Sequence, residues 1–246
     1  MDEVILIMGA SSDIACQYIS MLEEKSENTR VIAQYNSSDE KLNGIKKNAS
    51  HIKLEIEQCN LSNIDDTLRF ISEVKNKYGV PSKILFMAAN KLQYKKLKDI
   101  EWDDILSDLE IQLHSSLEIL KSFLPVMAKS KYGKILFMIS SCTCNVPPKY
   151  MMHYSIVKHA LLGMMKSLAA EYGDKNININ GLSPNMVETK FLDNIDSRIV
   201  EMTALNTVRK RNISIAGVVD AIDFLLSDKS DYINGVNLNL TDGNIM

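Results

Sequence analysis

Tyr154 and Lys158 stand four residues apart within MMHYSIVKHALLGMMKSLAAEYG, residues 151–173. Met, Ile, Leu and Ala recur through this stretch at offsets of three and four, the period of a helix with one apolar face. Residues four apart on a helix share a face, so the phenol and the ammonium are expected to point into one cleft. A free phenol, with a pKa of about 10, exchanges its proton poorly at neutral pH, and a nearby ammonium stabilises the phenolate and lowers that value. The pair is therefore read as an acid/base group, Tyr154, with an electrostatic tuner, Lys158.

A second stretch with chemical content is MGASSDIA, Met8–Ala15, which follows the apolar run VILIM. Gly9 can take a tight backbone conformation, and Ser11 and Ser12 can cap a following helix whose N-terminal N–H groups would face a pyrophosphate. The elements that must position both stretches recur along the chain. Seven β-rich runs begin at Val4, Arg30, His51, Lys83, Lys134, Asn176 and Gly235, with amphipathic stretches such as IDDTLRFISEVKNKYG and EWDDILSDLEIQLHSSLEILKSFLP between them. Strand and helix alternate almost to the end, which predicts an α/β fold: a doubly wound, seven-stranded parallel sheet with helices on both faces and right-handed crossovers. Ligands of such sheets sit beyond the carboxyl ends of the strands, where the first turn lies. The one long stretch without a clear period, Val187 to Ile213, reads as an excursion over the sheet edge, a lid.

The chain of 246 residues, 46% hydrophobic, is long enough to bury a full core and is expected to form one domain, residues 1–246. A formal charge of −3 offers no basic footprint for nucleic acid or an anionic membrane surface, so neither is expected as a partner. The acidic start MDEVILIMGA lacks the basic region of a secretion signal, and no apolar run approaches the length of a membrane span, so the chain is expected in the cytoplasm. Cys16, Cys59, Cys142 and Cys144 lack the paired spacing of a zinc or dithiol site, and no metal is expected.

Taken together, the strand followed by MGASSDIA, a serine upstream, and Tyr154 with Lys158 resemble the short-chain dehydrogenase/reductase family over nearly the whole chain. Of that family's T-G-x-x-x-G-x-G turn only the first glycine stands, as Gly9; Met8 replaces Thr, Asp13 the second glycine and Ala15 the third. Asp13 puts a carboxylate beside an expected pyrophosphate, which is repulsive unless it finds a donor. Asparagine takes the place of glycine at three further turns, as Asn90 of FMAAN, Asn185 of SPNMVET and Asn244 of TDGNIM, and asparagine tolerates positive φ better than most residues.

The resemblance implies an NAD(P)(H)-dependent Rossmann-type oxidoreductase that transfers hydride between nicotinamide and a carbonyl or alcohol. Ser141, thirteen residues before Tyr154, matches the family's catalytic serine, and Gln112 falls at the position of its relay asparagine. The cofactor would lie along Gly9, Ser11, Ser12, Asp13 and Ile14; along Tyr35, Asn36 and Ser37; along Asn60 and Leu61; along Ala88, Ala89 and Asn90; and along Pro184, Asn185, Val187 and Thr189, beside Tyr154 and Lys158. Tyr35 stands where an acidic residue would select NAD(H), so NADP(H) is favoured, although no Arg or Lys stands in that loop or at Ser12. Within the family the resemblance points loosely to 3-oxoacyl-[acyl-carrier-protein] reductase-like members, which implies a small-molecule or acyl-carrier-linked substrate and a homodimer or homotetramer. Sugar or nucleotide-sugar oxidoreduction, and a non-catalytic dinucleotide-binding or scaffolding role, are the alternatives.

Overall fold

The protein is described by a computed structural model covering residues 3–25 and 28–243. Asn244 lies outside the described residues. Seven parallel strands form one sheet: β1 (Val4–Met8), β2 (Thr29–Tyr35), β3 (Ile52–Gln58), β4 (Lys83–Phe86), β5 (Gly133–Met138), β6 (Ile177–Pro184) and β7 (Asn237–Leu240). Their spatial order is β3-β2-β1-β4-β5-β6-β7, so the chain reverses direction across the sheet between β1 and β4. At that reversal the connections leave on opposite faces and open a crevice at the carboxyl ends. Register aligns those ends: Met8 pairs with Gln34 and Phe86, Phe86 with Phe137, and Met138 with Leu182. Each segment that follows a strand therefore emerges along one rim.

The apolar runs form strands because both faces of a parallel sheet are covered. Leu6 and Met8 of β1 enter one core with residues of α3 (Ile64–Tyr78), α5 (Ser115–Ser130) and α6 (Met152–Tyr172). Ile5 and Ile7, one step out of phase, enter the other with α1 (Asp13–Lys25), α2 (Glu40–Asn48) and α8 (Ile215–Leu226). The stacked rings of Phe86 and Phe137, 4.9 Å apart, tie β4 to β5 beneath the crevice. The predicted long helix from Trp102 is continuous but not uniform: α4 (Trp102–Leu109) passes into α5 through a single widened π-turn at Glu110–His114.

The excursion expected between Val187 and Ile213 leaves the sheet and returns to it, its ends joined by a parallel bridge between those two residues. It carries α7 (Ser197–Leu205), and its first part folds over the crevice, where Leu92 N–H donates to Phe191 C=O at 3.1 Å. The glycine replacements follow a different logic from the expected one. Neither Asn90 nor Asn185 has positive φ; among the described residues the asparagines that do are Asn28 and Asn176. Asn185 instead continues β6 in extended form, its N–H donating to Leu240 C=O at 2.8 Å, while the Asn90 side chain donates to Ser107 Oγ at 3.2 Å.

Candidate active site

A cleft of about 540 Å³ runs along the carboxyl rim, from the turn after β1 to the start of α6. That is an ordinary size for a site that encloses a small molecule or cofactor. At one end Gly9 holds φ +81°, and a Cβ there would lie 2.7 Å from the Ala88 backbone, so only glycine lets the turn pass so close to the end of β4. Ser12 Oγ accepts the Ala15 N–H at 3.2 Å and caps α1, whose N-terminus faces the cleft. Gln34, fully buried, fixes this end: its Oε1 accepts the Gly9 N–H at 2.8 Å and its Nε2 donates to Cys59 C=O at 2.7 Å. This staple joins the ends of three strands, and nothing in its local sequence marks it.

The Asp13 carboxylate does find donors. One oxygen pairs with Lys41 of α2, and the other accepts the Lys190 N–H at 2.9 Å. Burial works against the charge, yet Lys41 and the Lys190 N–H hold this carboxyl below its usual range. Ser11, Ile14, Asn36, Ser37, Asn60 and Leu61 line the same end. Tyr35 does not: it packs against the α1 side of the sheet, its phenol facing Asp39, so the residues after β2 that border the cleft are Asn36 and Ser37. Midway along the cleft are Ala88, Ala89 and Asn90 after β4, and Pro184, Asn185, Val187 and Thr189 after β6.

At the far end Tyr154 and Lys158, both buried, project from the first turns of α6 as their spacing predicts. Lys158 Nζ lies 5.6 Å from the centre of the Tyr154 ring and donates to Met138 C=O at 2.8 Å. Burial pulls the Lys158 ammonium down to about 8, against the opposing pull of Cys142 and Asp108. The expected depression of the phenol is not what this geometry gives. Burial lifts Tyr154 above the usual tyrosine range and Cys142 adds to it, while a hydrogen bond with Ser140 only partly opposes the rise. Desolvation outweighs the neighbouring cation because that cation is itself desolvated and turned toward a carbonyl.

The serine that meets the phenol is Ser140, not Ser141. Ser140 is extended (φ −176°), its N–H donates to Ser183 Oγ at 3.2 Å and its Oγ accepts the Cys142 N–H at 3.3 Å. Ser141 borders the cleft too, but its hydroxyl donates to Asn185 Oδ1 at 3.4 Å. Counting back from Tyr154 misplaces the serine by one because the segment between β5 and α6 is irregular; counting forward from the strand end would have found it. Gln112 is likewise off the cleft. It sits in the π-turn, buried, with Nε2 donating to Asp108 Oδ1 at 3.2 Å, and faces a small void shared with Ser115 and Ser116. Asp108, which sequence reading passed over, also accepts the Asn90 N–H at 3.4 Å.

Beyond Tyr154 the wall turns apolar: Leu92, Cys142 and Met151 cluster with the tyrosine, and Tyr94, Phe191, Leu192 and Ile195 pack around them. The Tyr154 and Phe191 rings are 6.4 Å apart. The whole arrangement joins a capped, glycine-tight turn suited to a pyrophosphate with a serine and a buried tyrosine–lysine pair suited to proton transfer at a carbonyl oxygen.

Comparisons with known proteins agree with that combination. A short-chain dehydrogenase family model described as enoyl-(acyl carrier protein) reductase matches residues 9–244. The chain belongs to the short-chain dehydrogenase/reductase family, and it is an NAD(P)-dependent oxidoreductase acting between C=O and CH–OH groups. Among curated relatives, the 3-oxoacyl-[acyl-carrier-protein] reductase of Buchnera aphidicola subsp. Acyrthosiphon pisum is 33% identical over 191 residues, 76% of either chain. That of Rickettsia prowazekii is 27% identical across 98% of this chain and 96% of its own. Among solved structures, levodione reductase superposes with a TM-score of 0.87 at 18% identity, covering 99% of this chain and 97% of its own. ElxO with NADP bound superposes with a TM-score of 0.86 at 20% identity, covering 99% of each chain. These structural likenesses speak to the fold.

Proposed function

We propose that this chain uses NADP(H) to reduce the carbonyl of an acyl-type substrate, in the manner of a 3-oxoacyl-[acyl-carrier-protein] reductase, as one cytoplasmic domain over residues 1–246. The observation that carries the reading is the meeting of Ser140 with the buried Tyr154 and Lys158, between a dinucleotide-sized channel and an apolar compartment. When bound, the nicotinamide supplies or takes the hydride. The chain's own residues do the rest. Ser11, Ser12 and the start of α1 hold the pyrophosphate, Asn36 and Ser37 the adenosine ribose, and Asn60 the adenine. Ala88, Asn90, Val187 and Thr189 border the nicotinamide half.

The substrate oxygen is held between the Ser140 hydroxyl and the Tyr154 phenol. A phenol lifted above its usual range is fully protonated at neutral pH, which suits it to give a proton to a developing alkoxide. The phenolate left behind is stabilised by the Lys158 ammonium. Leu92, Met151 and Phe191 exclude water and accept an alkyl or acyl chain. The same wall disfavours a sugar substrate, whose hydroxyls would lose hydrogen bonds against it.

Fluorescence titration with NADPH and NADH, followed by turnover on a 3-oxoacyl thioester, tests the reading. Tyr154→Phe should bind NADPH as wild type does while turnover falls by about a thousandfold. Failure of the wild-type chain to bind either dinucleotide would support the scaffolding alternative and end the enzymatic one.

A further inference from the structure

Asp13 stands where the family's first turn has its second glycine, so its carboxylate is an addition to that turn. Its two oxygens bond elements other than α1: one pairs with Lys41 of α2, and the other accepts the Lys190 N–H at 2.9 Å. Lys190 opens the 3₁₀ turn Lys190–Leu192, at the start of the excursion that follows β6. The next residue is tied on the opposite bank, where Phe191 C=O accepts the Leu92 N–H at 3.1 Å. Phe191 and Leu192 also pack against the cluster of Leu92, Met151 and Tyr154. Thr189, Lys190, Phe191 and Leu192 all line the cleft. Residues 189–192 thus cross it as a strap, fastened to the start of α1 at the pyrophosphate end and to the segment after β4 at the substrate end.

Fold stability explains little of this carboxylate. Its bond to the Lys190 N–H is exposed, so water can serve that donor as well. The side chains of Lys41 and Asp13 keep 38% and 23% of their exposure, a range in which an ion pair contributes little to folding. The first turn of a helix favours an acidic residue, but Ser12 caps α1 and the Asp13 oxygens turn to α2 and the strap instead. A carboxylate beside a pyrophosphate site also repels the group it borders. What Asp13 does supply is a fastening between the first helix and the strap.

We propose that Asp13 is a positioning residue, the catch that holds the strap across the cofactor channel, and that its release sets the rate at which the dinucleotide enters and leaves. The proposal rests on the reading of the cleft as a dinucleotide site. The catch lies at the end of the channel assigned to the pyrophosphate, and the strap it holds carries Thr189 of the nicotinamide half. Freeing the strap opens the channel to exchange without removing a residue that holds the cofactor. Association and dissociation should therefore quicken together while the equilibrium moves little.

Stopped-flow fluorescence of the full chain with NADPH, and amide hydrogen exchange of the cofactor-free chain, test it. Asp13→Ala should raise both the association and the dissociation rate by about tenfold, the scale of one lost charge-assisted hydrogen bond, with the equilibrium constant moving by less than about threefold. In the cofactor-free chain the Leu192 and Ile195 amides, bonded within the excursion to Thr189 and Leu192 C=O, should exchange faster by a similar factor. Lys190→Pro removes the donor instead, at the first position of a turn, where the fixed φ of proline fits and Thr189 before it is already extended (φ −145°). It should reproduce Asp13→Ala, and the double variant should add nothing further. Asp13→Asn keeps an acceptor oxygen and should stay within about threefold of wild type on both readouts. Unchanged dissociation or exchange in Asp13→Ala, or additive effects in the double variant, would overturn the proposal. So would an Asp13→Asn variant indistinguishable from Asp13→Ala, which would assign the residue to charge repulsion alone. If the wild-type chain binds no dinucleotide the reading of the cleft falls, and the exchange of Leu192 and Ile195 still decides whether Asp13 holds the strap.

Discussion

Lys158 titrates where cells live, and this has measurable consequences. On the proposed mechanism reduction needs its ammonium, so kcat/KM, which reports the free enzyme, should fall as pH rises through about 8, and Lys158→Arg should move that limb upward. The linkage to stability has the opposite sense. The folded value, about 8, lies below the ordinary lysine value of 10.5, so between them the unfolded chain binds more protons and stability gains with pH. Below pH 8 the cost of the buried ammonium is fully present. Lys158→Met should therefore abolish turnover yet stabilise the fold at pH 7 by about 1–2 kcal/mol, and urea denaturation at pH 7 and 9.5 should show its pH slope flattened. The serines offer a sharper contrast: Ser140→Ala should cut turnover by about a hundredfold and Ser141→Ala should change it little. Tyr154 and Lys158 were legible in sequence because a helical period fixes their geometry. The serine was not, since between β5 and α6 the chain forms only one short 3₁₀ turn, Ser141–Thr143, and a count across the rest carries no register.

At the level of elements, all seven strands were readable from β-rich runs: β1 and β4 as continuous apolar stretches of the sheet centre, β3, β6 and β7 as alternations of apolar with polar residues. What could not be read was how their ends are tied. Gln34 is a polar residue in an apolar run, and only the assembled sheet shows that its amide spans Gly9 and Cys59. Gln34→Leu leaves that N–H and C=O without their partner and should lower stability by about 1–3 kcal/mol, with weaker NADPH binding as the first turn loosens. Thermal melting and dinucleotide titration of the same variant check both. The asparagines misled for a related reason. Residue type indicates which backbone conformations are tolerated, whereas the pairing of Asn185 with Leu240 and of Asn90 with Ser107 decides which is adopted. Likewise Gln112 keeps the expected place along the helix, and the π-turn around it directs the amide to Asp108.

Across the whole molecule, Trp102 and Leu106 of α4, Leu117 of α5, and Met152 and Ile156 of α6 leave large apolar side chains exposed on neighbouring helices. Self-association through this face would cover them, and Ile156→Glu should shift the mass measured by light scattering toward the monomer. The excursion that departs after β6 and comes back before α8 is joined at its base by the parallel bridge of Val187 with Ile213. The part of it beyond Leu192 carries no β-ladder and none of the residues placed beside the nicotinamide, so grafting a relative's segment there should exchange what the protein accepts while leaving the hydride chemistry where it was. Novelty in this scaffold is cheap at that loop and ruinous almost anywhere along the strands.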